Sequence, residues 1–119
     1  MTSLGEITVT DLNSWQARGL RILCELQEGG LKAGRYPLDW AVNASGALRG
    51  QVHRYDPKQT DEDRRAVFDE WVRVLAGTAP REEERWSGGT SLVSLFKVPT
   101  ASGEVRGSIV VDFDELVEE

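Results

Sequence analysis

Ala44-Ser45-Gly46-Ala47-Leu48-Arg49-Gly50 returns 57 residues later as Ala101-Ser102-Gly103-Glu104-Val105-Arg106-Gly107. Five of the seven positions are identical, and Leu48 against Val105 keeps its character. Each copy reads as the tip and return strand of a β-hairpin, with a glycine at the tip where the chain must turn. Past the tip, the aliphatic residue and the second glycine point inward. Arg49 and Arg106 point outward, because side chains alternate along a strand.

Working outward from the first copy, Leu38, Trp40 and Val42 alternate and predict the partner strand. Leu48, Gly50 and Val52 then face inward, and Arg49, Gln51 and His53 face outward. Before the second copy, Ser91 to Val98 is dense in Leu92, Val93, Leu95, Phe96 and Val98, which predicts a central strand covered on both sides. Its return strand buries Val105, Ile109, Val111 and Phe113, with Gly107 on the same face.

A helix precedes each hairpin. From Leu12 to about Glu28, Trp15, Ile22 and Leu26 share a face, with Thr10 or Asp11 as cap and Gly29-Gly30 as stop. Glu6 to Thr10 reads as a short edge strand or an extended arm. The second helix starts at Thr60 or Asp61 and carries the stripe Val67, Phe68, Trp71, Val74 and Leu75. Residues 80–89 read as a polar loop, and 114–119 as a frayed end or last helical turn. The order predicts an α+β domain of two αββ units, 11–56 and 60–113. They would form one antiparallel sheet of four or five strands with both amphipathic helices on one face. An internal repeat and convergent use of a cheap turn both account for the doubled motif.

The chain has 119 residues, one domain's length, and a formal net charge of −6. Its field repels nucleic acid, so direct nucleic-acid binding is not expected. Cys24 is the single cysteine, which excludes an internal disulfide and argues against a thiolate metal site. No basic, apolar leader opens the sequence and no apolar run reaches the ~18 residues of a membrane helix, so a cytoplasmic, non-membrane protein is predicted. Glycine patterns that cradle phosphates are missing, and the carboxylates lack metal-ligand spacing, so no cofactor or metal is expected.

Seven residues remain as candidates for partner or ligand binding. Arg49 and Arg106 form an outward cationic patch, with His53 on the same side and Asp39 across the hairpin from it. Glu82, Glu83 and Glu84 form an acidic run, and Trp86 stands in the same polar segment. No nucleophile accompanies His53, so no catalytic set is assigned. The element order, length and low pI resemble, at the level of fold, class I secretion chaperones and small immunity or phage accessory proteins. That resemblance implies binding to a protein partner. The expectation is therefore a small acidic, non-enzymatic protein-interaction module. The alternatives are a small-ligand binder or enzyme on the open sheet face, and an acidic mimic of nucleic acid. Apolar outer-face residues Val93, Leu95 and Val110 also predict a homodimer through that face.

Overall fold

Thr8 opens α1 (Val9–Ala33) in the computed structural model, which describes residues 6–54, 56–86 and 88–113. The Thr8 hydroxyl accepts from the Asp11 N–H at 3.0 Å, and the Asp11 carboxylate accepts from the Thr8 N–H at 3.0 Å. This reciprocal cap starts the helix upstream of Thr10 and Asp11 and takes Val9 and Thr10 into it. The far end also runs past the expected stop. Gly29 and Gly30 are helical, and Gly34 closes the helix with φ 70°. Gly30 is buried, and a Cβ there would lie 3.3 Å from the Trp71 ring. The missing side chain lets the indole pack directly on helix backbone.

The first hairpin is β1 (Asp39–Val42) and β2 (Leu48–Val52), paired from Asp39↔Gln51 to Val42↔Leu48. Leu48, Gly50 and Val52 are buried, as the alternation requires. Thr60 caps α2 (Asp61–Val74) with the same reciprocal bonds to Asp63. Then come β3 (Arg81–Glu84), β4 (Thr90–Thr100) and β5 (Gly103–Phe113). The sheet order is β1-β2-β5-β4-β3. Tyr55 and the tail 114–119 lie outside the described residues.

The sheet is mixed rather than antiparallel. β2 and β5 pair in parallel, from Leu48↔Gly107 to Val52↔Val111. The cause is the placement of the two hairpins. Both tips lie at one end of the sheet, so both return strands run away from that end, and they adjoin. β5 lies at the centre of the order, flanked on both edges, and its Ile109, Val110 and Val111 are all buried, at 1%, 5% and 0% exposure. β4 is therefore not central; its Leu95 is 49% exposed. The second unit also carries an extra strand, β3, so the halves are αββ and αβββ. Within the parallel pair the motif copies are offset by two residues: Leu48 faces Gly107, not Val105.

Both copies meet α1. A Cβ on Gly19 would lie 2.4 Å from the Gly46 carbonyl oxygen, so helix and tip touch backbone to backbone. Gly46 has φ 83°, the left-handed region that favours glycine. At the second tip, Arg18 donates to the Ser102 carbonyl at 2.7 Å and the Glu104 carbonyl at 3.3 Å. The doubled motif thus forms a platform on which α1 rests. Beneath the helices lies one core. Ile22 of α1 and Phe68 and Trp71 of α2 pack with Leu75 on Leu38, Leu48, Val52, Phe96, Val105, Ile109 and Val111. Those sheet residues share one face, which leaves the opposite face to carry the candidate residues.

Candidate functional site

Arg49 and Arg106 come together. Both line a groove of about 480 Å³ on the open face, along with Ala41, Leu95 and Ser108. The two-residue offset of the parallel pair keeps them on one face but in successive rows. Lys97 faces Arg106 directly across the β4–β5 ladder. Arg49 donates to the Gln51 side-chain oxygen at 3.3 Å, and Arg106 Nε lies 3.6 Å from a Glu104 carboxylate oxygen. The apolar outer face expected to support a homodimer shrinks to Leu95. Val110 is buried and Val93 half-buried, and Leu95 shares its groove with Arg49 and Arg106.

His53 belongs to a different place. Its Nε2 lies 2.7 Å from Asp39 Oδ2, the cross-hairpin pair the alternation predicts. The two side chains are 50% and 63% exposed, so the pair sits on open surface. His53 lines a second pocket of about 320 Å³ at the end of the sheet far from the hairpin tips, with Arg54, Arg64 and Arg85. Sequence reasoning missed these three arginines, because each reads alone as an ordinary surface charge. Among the described residues no group of three His, Cys, Asp or Glu side chains could hold a metal ion. Cys24 is exposed; the buried line of α1 runs through Gly19, Ile22 and Gly30, and Cys24 falls off it.

The acidic run is a strand, not a loop. Glu82, Glu83 and Glu84 belong to β3 and face Leu92, Ser91 and Thr90 of β4. All four β3 residues are exposed, and β3 ends the sheet order. Arg81 holds Glu83 through two donors, at 3.0 and 2.7 Å, on the open-face side. The Arg85 N–H donates to the Gly89 carbonyl at 3.1 Å, in the same register as the β3–β4 ladder. Since bonded pairs alternate along an antiparallel ladder, Glu83 continues that bonding. Glu82 and Glu84 turn their N–H and C=O groups outward, along the edge of the sheet.

Trp86 follows immediately, in the turn closed by the Gly88 N–H donating to the Arg85 carbonyl at 2.9 Å. It is 100% exposed and so does not cap the core, the role a loop tryptophan beside a small core would otherwise take. Its turn carries Gly88 and Gly89 at φ 95° and 80°, which hold the chain tight and aim it away from the body. An open strand edge, three carboxylates and a bare indole are therefore contiguous in space as well as in sequence.

Comparison with protein-family models, curated proteins and solved structures gives no match. The α+β architecture and the chemistry of its surfaces are the basis for a functional reading. No helix among the described residues is long and apolar enough to cross a membrane.

Proposed function

We propose that this protein is a non-enzymatic interaction module that holds an extended, lysine- or arginine-bearing segment of a partner protein along the β3 edge, with Trp86 as the anchor. The observation that carries this reading is Trp86. A fully exposed indole leaves a large apolar surface in water, which favours burial against a partner by a few kcal/mol, of order ~2. Beside it, the outward N–H and C=O groups of Glu82 and Glu84 offer main-chain pairing to an added strand.

Charge selects the occupant. Exposed edge strands invite pairing, and charges on them exclude wrong partners. A second copy of this chain would set Glu82 to Glu84 against the same residues, and like charges directly opposed are unfavourable. A basic segment meets the opposite situation, and the net charge of −6 steers it inward from a distance.

The test is selection from a displayed library of random peptides on the immobilised protein. The recovered peptides should be extended sequences rich in Lys or Arg. Trp86→Ala should weaken the best of them by about 30-fold, matching a hot-spot loss of ~2 kcal/mol. Glu82→Lys with Glu84→Lys should abolish recovery while leaving the circular dichroism unchanged. Acidic peptides, or affinities indifferent to all three substitutions, would contradict the reading.

A further inference from the structure

We infer that the pocket lined by Arg54, Arg64 and Arg85 is a binding site for the oxyanion of a small molecule, a phosphate or carboxylate group. The site adjoins the end of β3 through Arg85 but does not depend on the reading given there. Three arginines from three segments of the chain line one cavity of about 320 Å³ with Asp112, and a second carboxylate, Asp61, pairs with two of them. That concentration occurs in a chain whose net charge is −6. The Asp112 carboxylate is already engaged by Gln51, which donates at 3.1 Å, and by the Ser91 hydroxyl.

Arg64 is the centre of the arrangement. It is 8% exposed, a rare state for arginine, which is seldom buried without satisfied partners. One terminal nitrogen donates to the Asp112 carbonyl at 2.6 Å and the other to Asp61 Oδ1 at 2.7 Å. Its guanidinium carbon lies 5.4 Å from the centre of the Phe113 ring. The group is thus fixed in position and orientation before any ligand arrives, which removes most of the ordering cost of binding. Its Nε is buried and has no hydrogen-bond partner among the described residues. That N–H is enclosed by protein rather than open to the cavity, so it senses a charge arriving beside the guanidinium without bonding to it. Asp61 also accepts from Arg54 at 3.2 Å, so one carboxylate holds two of the arginines side by side at the pocket. Planar, forked donors of this kind match the oxygens of a phosphate or carboxylate.

The experiment follows the arginine Nε–H resonances of the whole protein by nuclear magnetic resonance at constant ionic strength. Inorganic phosphate, glycerol phosphate and acetate are titrated separately, with chloride as reference. The Arg64 Nε–H signal should shift saturably with at least one of the three oxyanions and not with chloride, and the arm that binds tightest names the head group. Arg54→Gln, which leaves Arg64 in place, should weaken that binding at least 5-fold. Arg106→Gln, in the other groove, should leave it unchanged. An Arg64 signal that stays still in all three arms, or that moves equally with chloride, overturns the inference. So does binding unaffected by Arg54→Gln.

Discussion

Replacing Gly19 by alanine lowers the free energy of unfolding by about 2–3 kcal/mol, the cost of overpacking a tight contact. The same replacement at Gly29 raises it by about 0.5–1 kcal/mol. Both glycines lie in one helix, and alanine is the better helix former at each. Helix propensity alone therefore predicts two stabilised proteins. The packing reverses one sign. At Gly19 the added Cβ would lie 2.4 Å from the Gly46 carbonyl oxygen, a backbone atom that cannot swing aside. At Gly29 the nearest non-local atom is a flexible Arg35 nitrogen at 3.9 Å, an ordinary contact. Urea denaturation followed by circular dichroism reads both. Equal, positive changes would mean that α1 does not rest on the first hairpin tip.

Trp71→Ala produces the largest loss, about 3–5 kcal/mol, typical of truncating a buried aromatic. The indole is 2% exposed. It meets Trp40 edge to face with ring centres 5.8 Å apart, and its N–H donates to the Tyr36 carbonyl at 2.8 Å. Arg35 lies over the ring with its guanidinium carbon 5.6 Å from the centre. Gly30 of α1 lies against the outer edge of the ring, so removing it detaches helix from helix as well as helix from sheet. Small domains hold only about 5–15 kcal/mol in total, so the variant loses a large part of its stability. Its urea midpoint falls accordingly. A change below about 1 kcal/mol, the size expected for a surface substitution, would show that Trp71 does not hold α1 to α2.

The parts of this fold legible in the sequence are those with local causes. The alternation Leu48, Gly50, Val52 placed β2's buried face, and the same alternation put His53 on the face of Asp39, which it meets diagonally. Thr60 and Asp63 carry a capping pattern that needs no tertiary partner. What escaped has distant causes. Arg81 to Glu84 contains no residue that favours a strand, yet it pairs with β4, whose length past its turn supplies the template; tertiary context overrides propensity. Gly29-Gly30 reads as a helix stop until Trp71, 41 residues beyond Gly30, is seen to need the gap. The parallel pairing of β2 and β5 has no local signature either.

The candidate site divides the same way. Arg49 and Arg106 were legible as an outward pair because the motif repeats, and the fold brings them into one groove. The oxyanion pocket was not legible, because Arg54, Arg64 and Arg85 converge only once β2, α2 and the β3–β4 turn are in place. Trp86 stood out by its polar surroundings, but its meaning changed when the acidic run beside it became a strand edge. An indole on a loop is an isolated apolar contact. An indole at the end of an open ladder is placed where, in the proposed reading, it would anchor a strand laid along it.

Amide hydrogen exchange at β3 tests that claim most directly. It is measured on the free protein and on its complex with the tightest cationic peptide from the library selection. Glu82 and Glu84, whose N–H groups face outward, should exchange rapidly in the free protein and become protected in the complex, while Glu83, already bonded to β4, changes little. Protection confined to the groove of Arg49 and Arg106, or none at Glu82 and Glu84 under saturating peptide, would contradict strand addition at this edge.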